Sequence, residues 1–402
     1  MTLAEELQWR GFINQTTFTD ITSINEPRTA YFGVDPSSDS ITIGNLAPVM
    51  MLNHFINHGY KIILLVGGAT GMIGDPDGRK QERDLRNSET VNNNVESLKK
   101  QLSKIFQGKN FELVNNYDWF KDINYIDFLH KIGKHVSMTQ MLDRDFVQQR
   151  IGEGGSGISY GEFSYSLIQG YDFLHLYRTK GATMQICGAD QWGNSVTGVS
   201  LIRKLEGGEA HVFSTPLIIN KQTGVKFGKS ESGAIWVSPE KTSPYQFYQF
   251  WLNTDDESAK NLIKIYTLLD RNTIEEAIEQ HNNNPGSRIL QKLLAYEVTK
   301  LIHGEERAEA VKNASLFLFS KDNFELTDDV TNILANELPN ISIGQSLVDS
   351  LVDSQIAKSK GEAKRLIANG SVSVNGVKVT EDITVDNISI IKKGKNSFAL
   401  AK

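Results

Sequence analysis

Hydroxyl-bearing side chains follow the first predicted strand, in a position suited to bind phosphate. The pattern predicts a strand at Thr29–Val34 and a helix at Gly44–Asn57, and the turn between them contains Ser37 and Thr42. The N–H groups of a helix's first turn have no partners within the helix, and the helix dipole is positive at that end. This turn is therefore predicted to bind a phosphate group.

A glycine-rich loop, Gly67–Pro76, follows the second predicted strand, Lys61–Val66. Glycines directly after a buried strand let a ligand approach the backbone, and Asp75 at the rim is suited to hold an ammonium group. The loop matches neither the dinucleotide-binding pattern nor the Walker pattern. A simple tight turn stays an open alternative.

Two lysines lie in a second glycine-rich stretch, Gly224–Gly233, near the end of the α/β pattern. A P-loop needs four residues between its glycines, whereas only three separate Gly224 from Gly228, and no helix is predicted to follow. Lys226 and Lys229 therefore favour a mobile lid that closes over polyphosphate. A basic surface hairpin is the alternative.

A stripe of polar groups is predicted along one helix. Tyr165, Gln169 and Asp172 are spaced i, i+4 and i+7, so they share one helix face among apolar neighbours. Polar groups that face inward cost free energy unless a ligand or partner satisfies them. We expect this face to line a ligand pocket, with a solvated face as the alternative.

Two further motifs are less specific. Asp190 lies in a turn between a strand and a helix, where it can bind ribose hydroxyls or simply cap the helix. His54 and His58 have the i, i+4 spacing of metal ligands, but no glutamate lies between them. We predict no metal site and interpret both histidines as complements to the helix dipole.

Composition limits the class of protein. The 402 residues carry 42 basic and 48 acidic side chains, a net charge of −6, and 39% are hydrophobic. These values indicate a folded chain of several domains, and Cys187 as the only cysteine excludes an internal disulfide. The early acids and short apolar runs differ from signal peptides and membrane spans. We expect a soluble cytoplasmic protein with no membrane association.

The chain divides into three predicted regions. Up to about residue 220, strands alternate with helices, which is typical of a parallel α/β sheet; later strands are expected at Met184–Cys187 and Val212–Ile219. A helical region follows. The last region has two short helices and a hairpin whose Asn375-Gly376 turn favours type I′. The helices predicted after residue 240 are Ser243–Leu252, Glu257–Leu269, Arg288–His303, Glu305–Phe319, Ser346–Asp353 and Lys360–Ala368.

The tail reverses the charge of the chain. Residues 356–402 contain nine basic and four acidic side chains, a net charge of +5. Lys360, Lys364 and Arg365 lie on adjacent turns of one predicted helix. We interpret this face as a contact for RNA phosphates, with a solvated helix face as the alternative.

Taken in order, these segments resemble the bacterial-type tyrosyl-tRNA synthetases, a family of class I aminoacyl-tRNA synthetases, from about residue 5 to the end. The most specific segments are Gly67–Pro76, Gly188–Asn194 and Lys226-Phe227-Gly228-Lys229-Ser230, which stands where the class has its mobile lysine signature. The tail resembles a small RNA-binding module shared with a ribosomal protein. Chance agreement of all these segments is negligible.

The resemblance implies an architecture. It consists of a Rossmann-like parallel-sheet catalytic domain, an all-helical domain on the anticodon side and a small C-terminal α/β RNA-binding module. We place these domains at residues 1–222, 223–325 (with the lysine loop) and 335–402. A homodimer is implied, with a dimer-forming insertion at about residues 120–160.

The resemblance also implies a reaction and its site. The partners are L-tyrosine, ATP with Mg²⁺ and tRNA(Tyr), with no prosthetic group and no resident metal. The implied residues are Tyr31, Asp75, Asn116, Tyr165, Gln169, Asp172 and Gln191 for tyrosine; Gly33, Asp35, Ser37, Gly44, Gly188, Asp190 and Lys229 for ATP; Thr42, Asn45, Lys226, Lys229, Ser230, Arg79 and Arg83 for catalysis; and Lys358, Lys360, Lys364 and Arg365 for tRNA.

One position departs from the family pattern. The histidine signature of the class reads His-Ile-Gly-His or His-Ile-Gly-Asn, whereas this chain has Thr42-Ile43-Gly44-Asn45. Thr42 thus replaces an imidazole that stabilises ATP phosphates, so we expect an active enzyme with slower adenylation. A catalytically weakened paralogue acting as an RNA-binding protein is the alternative. Tryptophan specificity is another, although Tyr31 with Asp172 argues for a phenol.

Overall fold

The computed structural model shows two compact units. It describes residues 1–76, 87–219, 227, 229–230, 233–319, 326–394 and 397–402, with the backbone alone at residues 145, 146, 229 and 230. Unit 1 comprises Met1–Thr242 and Thr254–Leu294, and unit 2 comprises Ser243–Asn253 and Ala295–Lys402. Arg79, Arg83 and Lys226 lie outside the described residues.

Unit 1 is built on a six-stranded sheet with the strand order β1-β6-β5-β2-β3-β4. Its strands are parallel except β1, which pairs antiparallel with β6 at the edge. The strands of this unit are β1 (Gln15–Thr16), β2 (Thr29–Val34), β3 (Lys61–Val66), β4 (Phe111–Asn115), β5 (Met184–Gly188), β6 (His211–Thr215) and the short hairpin β7 (Lys229–Ser230) and β8 (Gly233–Ala234).

The predicted parallel sheet is confirmed. Strands β2 and β3 have the predicted bounds, and most residues of each are buried. The prediction Val212–Ile219 was too long, since β6 ends at Thr215. Edge strands β1 and β4 were not predicted, and every residue of β4 is only half-buried.

Helices pack on both sides of this sheet, as expected for parallel strands joined by crossovers. Those of unit 1 are α1 (Leu3–Arg10), α2 (Ile43–Asn57), α3 (Thr70–Ile73), α4 (Ser88–Ile105), α5 (Tyr117–Phe120), α6 (Tyr125–Lys131), α7 (Met138–Leu142), α8 (Asp145–Ile151), α9 (Tyr160–Lys180), α10 (Trp192–Glu206), α12 (Asp256–Tyr266) and α13 (Arg271–Asn283). Short 3-10 helices occupy Ile21–Asn25, Gly133–His135, Ala189–Gln191 and Pro285–Ser287.

His54 in α2 and His58 at its C-cap both lie near Glu6 of α1, His58 less closely, with its Nδ1 atom 3.8 Å from Oε2. His54 is buried, with Nδ1 2.9 Å from Oε1 of Glu6 in α1. The Nδ1 atom of His58 lies 2.8 Å from the carbonyl oxygen of His54, as a C-terminal dipole complement would. The dipole interpretation fits the contact of His58, whereas His54, whose pKa is lowered chiefly by burial, is held by a hydrogen bond to Glu6 that local spacing could not predict.

Unit 2 combines helices with a five-stranded sheet in the order β12-β11-β14-β15-β9. The elements are α11 (Pro244–Leu252), α15 (Glu305–Phe319), α16 (Asp328–Glu337), β9 (Asn340–Ile341), β10 (Gln345–Ser346), α17 (Leu347–Asp353), α18 (Lys360–Ala368), β11 (Val372–Val374), β12 (Val377–Val379), β13 (Thr384–Val385), β14 (Ser389–Lys393) and β15 (Ser397–Ala401). The chain leaves this unit after α11 and returns to it within α14 (Ile289–His303).

The C-terminal hairpin and the two short helices before it are confirmed. Asn375 and Gly376 have φ values of 48° and 81°, the left-handed backbone that a type I′ turn requires. Helix α18 has the predicted bounds, and Ser359 caps its N-terminus by accepting from the Glu362 N–H group.

The predicted helical region differs from the structure at one helix. Helix α13 was not predicted, whereas α11, α12, α14 and α15 match predictions to within a few residues.

The domain boundaries at 222/223 and between 325 and 335 stay a prediction. Within the described ranges, no helix is both long enough and apolar enough to span a bilayer.

Candidate active site

A cavity of about 540 Å³ opens at the carboxyl ends of β2, β5 and β6. Strand β2 is the point at which the strand order reverses, because β3 lies on one side of it and β5 on the other. Ligands of open parallel sheets bind at such a switch point. The predicted site residues along the cavity wall are Tyr31, Gly33, Asp35, Ser37, Gly44, Asn45, Asp75, Tyr165, Gln169, Asp172, Gly188, Asp190 and Gln191.

Asp172 lies at the closed end of the cavity, fixed by two donors. Its Oδ2 accepts from Nδ2 of Asn116 at 3.1 Å, and its Oδ1 accepts from Nε1 of Trp119 at 2.9 Å. Burial raises the pKa of this carboxyl to about 8 and outweighs the two donors, which lower it. Each oxygen keeps lone-pair capacity, so Asp172 can accept one more hydrogen bond from a ligand.

Two more buried polar atoms lie close by. Tyr31 of β2 and Gln185 of β5 are register partners, and both side chains line the cavity. The Tyr31 hydroxyl and Oε1 of Gln185 have no hydrogen-bond partner within the described part of the chain. Buried polar atoms without partners are rare, so they indicate where a polar ligand binds.

The middle of the cavity is an ordered hydrogen-bond network around Asp35. Tyr165 and Thr70 each donate a hydroxyl to this carboxylate at 2.7 Å. Burial, followed by the charges of Asp35 and Asp75, holds the pKa of Tyr165 well above its usual range. Tyr165 is therefore a neutral donor across the physiological pH range.

The glycine-rich loop makes room for this network. A Cβ at Gly67 would overlap the side chains of Thr70 and Asp35, and one at Gly68 would overlap that of Asn115. These two glycines admit the protein's own polar side chains, of which Asp35 and Thr70 line the cavity. The expectation that the loop lets a ligand approach the backbone stays a prediction.

Asp75 belongs to a second network at the rim. Nε2 of Gln191 donates to Asp75, and Nδ2 of Asn194 donates to Oε1 of Gln191 at 3.2 Å. The guanidinium of Arg144 donates in turn to Oδ1 of Asn194 at 2.5 Å. This chain of contacts orients the Asp75 carboxylate at the wall of the cavity, beside Gln169.

The turn that begins α2 forms the other end of the cavity. Thr42 is the N-cap residue: its Oγ1 accepts from the Asn45 N–H at 3.4 Å and donates to Oδ1 of Asn45 at 2.7 Å. Gly44 and Asn45 line the cavity, whereas Thr42 does not. Thr42 therefore stabilises the start of α2 as its N-cap.

Sequence reasoning missed four supporting residues: Trp119, Gln185, Arg144 and Thr70. The one local signal was Gln185, a polar residue inside an apolar strand. The contacts of Thr70, Trp119 and Arg144 join residues that are 35 to 53 positions apart in the sequence, so no local sequence pattern could predict them.

The predicted tRNA-binding residues lie in and beside α18 of unit 2. Lys358, Lys360, Lys364 and Arg365 are all exposed. Lys360 pairs with Asp349 at 2.6 Å. Within the residues that the structure describes, neither Lys364 nor Arg365 forms an ion pair, so both charges are presented to solvent.

Two protein-family models match consecutive parts of this chain. The family model described as tRNA synthetases class I (W and Y) matches residues 22–320. The chain belongs to this family of class I tRNA synthetases. A second model, for the C-terminal domain of SYY-like tyrosine–tRNA ligases, matches residues 329–401.

Relatives of known name agree with these matches. A tyrosine–tRNA ligase of Bacteroides fragilis is 43% identical over 100% of this chain and 99% of its own. A protein named tyrosine–tRNA ligase 2, from Bacillus cereus, is 43% identical over 100% of both chains. The predicted resemblance to tyrosyl-tRNA synthetases is confirmed.

Solved structures agree on the fold. A C-terminally truncated mitochondrial tyrosyl-tRNA synthetase of Aspergillus nidulans superposes with a TM-score of 0.72 and 29% identity, covering 79% of this chain and 94% of that one. A tryptophanyl-tRNA synthetase of Encephalitozoon cuniculi has a TM-score of 0.55 and 12% identity, covering 82% of this chain and 91% of that one. The predicted fold class of this synthetase is thus confirmed.

Proposed function

We propose that this chain is a tyrosine–tRNA ligase. It activates L-tyrosine with ATP to tyrosyl-adenylate and pyrophosphate, then transfers the tyrosyl group to the 3′-terminal ribose of tRNA(Tyr). The observation that carries the proposal is the buried pair of Asp172 and the unpartnered Tyr31 hydroxyl at the closed end of the cavity. A phenol that enters there donates to Asp172 and accepts from Tyr31.

This arrangement favours tyrosine over phenylalanine. Phenylalanine would leave the Tyr31 hydroxyl and the Asp172 carboxyl buried without the ligand hydroxyl. Tyrosyl-tRNA synthetases are themselves the standard illustration of such discrimination. An indole offers a single N–H donor and no acceptor, so tryptophan would satisfy Asp172 alone.

The other end of the amino acid is held at the rim of the cavity. The substrate ammonium binds Asp75, Tyr165 and Gln169, while Gln191 orients Asp75 and lies beside the reacting carboxylate. That carboxylate attacks the α-phosphorus of ATP, so a carboxyl O–P bond forms as the P–O bond to pyrophosphate breaks. No protein nucleophile is needed, and catalysis depends on placement and charge stabilisation.

The nucleotide occupies the α2 end of the cavity. The start of α2 at Gly44, the Asn45 side chain and Ser37 bind the phosphates, and Asp190 binds the ribose hydroxyls. Lys226, Lys229 and Ser230 stabilise the departing pyrophosphate, opposed by Arg79 and Arg83. Mg²⁺ enters with ATP as part of the substrate.

We further propose that the enzyme acts in the cytoplasm as a homodimer. Exposed apolar side chains are concentrated in residues 125–160: Ile126 is 67% exposed and Tyr160 63%, and the Tyr125 and Tyr160 hydroxyls lie 3.0 Å apart. Exposed apolar groups this dense are typical of an interface. The basic face of α18 binds the tRNA backbone.

Tyrosine-dependent ATP–pyrophosphate exchange tests the function directly, with phenylalanine and tryptophan as matched controls. We expect exchange with tyrosine alone. A folded protein that binds ATP but gives no exchange would instead support the RNA-binding paralogue. Sedimentation of wild type and Ile126→Asp tests the homodimer, since the charge is expected to yield monomers.

A further inference from the structure

Tyr266, the last residue of α12, contacts two segments of the proposed nucleotide site. Its side chain is fully buried, and its hydroxyl donates to the carbonyl oxygen of Ile43 at 2.9 Å. Its ring lies against that of Phe227, with centroids 6.1 Å apart and planes at 41°. Ile43 begins α2, and Phe227 lies between the two lysines of the lysine loop.

The helix start that Tyr266 contacts is also pinned by the chain beyond the lysine loop. The Ile43 N–H donates to the carbonyl of Ile235 at 3.0 Å, and the Val237 N–H donates to the carbonyl of Ile41 at 3.0 Å. Thr42 and Trp236 form the antiparallel bridge between these contacts. The first turn of α2 is thus joined on one side to residues 235–237.

Phe227 approaches the same turn through its backbone. A Cβ at Gly44 would lie 3.1 Å from the Phe227 carbonyl oxygen, which is closer than most side chains tolerate. The N–H of Phe227 donates to the carbonyl of Ile218, a residue of the cavity wall, at 2.8 Å. Phe227 therefore lies between the cavity wall, Gly44 and the ring of Tyr266.

We propose that Tyr266 is a positioning residue for adenylation. Its hydroxyl fixes the carbonyl of Ile43 and its ring supports Phe227, so one side chain holds the first turn of α2 and Phe227 in place at the nucleotide end of the cavity. This inference rests on the proposed function. It requires Tyr266 to affect the chemical step on ATP without affecting the binding of tyrosine, which occupies the other end of the cavity.

Tyr60 offers a matched control. It too is a fully buried tyrosine in unit 1, and its hydroxyl donates to a backbone carbonyl, that of Ile24, at 2.7 Å. Neither residue of that pair lines the cavity. Tyr60→Phe and Tyr266→Phe each remove one buried hydroxyl and one hydrogen bond of the same kind, so both should lower the unfolding midpoint similarly.

The experiment compares kcat and KM of ATP–pyrophosphate exchange, and tyrosine affinity by equilibrium binding, in wild type and both variants. We expect Tyr266→Phe to lower kcat roughly fivefold to tenfold, the effect of one hydrogen bond lost in the transition state. Its tyrosine affinity should stay within about twofold of wild type, and Tyr60→Phe should match wild type in both measurements.

Each outcome of this experiment either supports or overturns the positioning role of Tyr266. Equal kcat in the two variants, or parallel loss of tyrosine affinity and kcat in Tyr266→Phe, would overturn the positioning role. If Tyr266→Phe does not fold, Phe227→Leu decides: a lowered kcat with unchanged tyrosine affinity supports the proposal, and an unchanged kcat overturns it. Absence of exchange in the wild type would instead contradict the proposed function.

Discussion

We propose that Asp172 determines the specificity of this site, because it is a buried acceptor whose other contacts are already fixed. Asn116 and Trp119 hold its two oxygens from one side, and the cavity lies on the other. The substrate hydroxyl is the donor that completes this arrangement. Discrimination therefore depends on how much free energy is lost when that donor is missing.

Replacing Asp172 by Asn should remove most of this discrimination. The amide would set its NH₂ group against one of the two donors, Asn116 or Trp119, so we expect kcat/KM for tyrosine to fall roughly 100-fold. Tyr31→Phe removes only one hydrogen bond and should cost about tenfold or less. Pyrophosphate exchange with tyrosine and with phenylalanine measures both effects, and an equal loss for the two amino acids would contradict the assignment.

The raised pKa of Asp172 predicts a pH-dependent stability. Its pKa is about 8 in the folded chain against an ordinary 3.8, so between these values the folded state binds a proton that the unfolded state lacks. The free energy of unfolding should then fall as pH rises through this window. Denaturant unfolding of unliganded wild type and Asp172→Asn, from pH 5 to 9, should show this fall up to about pH 8 in the wild type alone.

Thr42 is the N-cap of α2, at the position where the resemblance predicts a catalytic histidine. Thr42→His adds an imidazole donor at the start of α2 and should raise kcat of exchange roughly tenfold, the effect of one added hydrogen bond. The same change removes the cap on α2, so the free energy of unfolding should fall by about 1 kcal/mol. Exchange kinetics and denaturant unfolding test the two effects, and an unaltered kcat would refute the expected slower adenylation.

At the scale of elements, the sequence predicted those with strong local patterns. Strands β2 and β3 are continuous apolar runs, and the polar stripe of α9 reaches the cavity as expected. Helix α13 was missed because only Ile274, Ala277 and His281 of its thirteen residues are buried, so its apolar period is weak.

The supporting shell of the site could not be predicted, for a physical reason. Trp119 and Asp172 are 53 residues apart, and Arg144 and Asn194 are 50 apart. Their contacts exist only once the sheet and helices have packed. The family resemblance supplied Asn116 but not Trp119, the second donor to Asp172.

Two helices that carry site residues cross at glycines. A Cβ at Gly198 of α10 would lie 2.7 Å from Cβ of Phe173 in α9. Helix α9 carries Asp172 and α10 follows Gln191, so the spacing of these helices sets the width of the cavity.

Gly198→Ala should force these helices apart. We expect a loss of about 1–3 kcal/mol in the free energy of unfolding, together with weaker tyrosine binding. Gly161→Ala on α9 is the matched control, because its Cβ would be 3.8 Å from the nearest atom, Oγ of Ser159, and should stabilise the helix by about 0.5–1 kcal/mol. Calorimetric binding of tyrosine that was unchanged in Gly198→Ala would contradict this view of the crossing.

At the scale of the whole molecule, the two steps of the proposed reaction, activation and transfer, depend on residues of different units. The cavity and its networks belong to unit 1, and the basic face of α18 belongs to unit 2. Amino-acid activation needs no tRNA, whereas transfer does. Changes in the charge of unit 2 should therefore affect the second step alone.

The double variant Lys364→Ala with Arg365→Ala tests this separation. Both side chains are exposed and form no ion pair within the described residues, so their charges are available to phosphates. We expect KM for tRNA to rise roughly tenfold and the salt dependence of binding to weaken by about two counterions, with tyrosine-dependent exchange unchanged.

Lys360→Ala is the control on the same helix. The Lys360 side chain is 70% exposed, and its ammonium already pairs with Asp349 at 2.6 Å. A contact with a phosphate would break this ion pair, and the loss of the pair would offset part of the free energy gained from the phosphate. We expect its KM for tRNA to change less than about twofold. Equal effects of the Lys360 variant and the double variant would show that α18 contributes general positive charge, whereas the expected difference identifies Lys364 and Arg365 as the residues that contact the tRNA backbone.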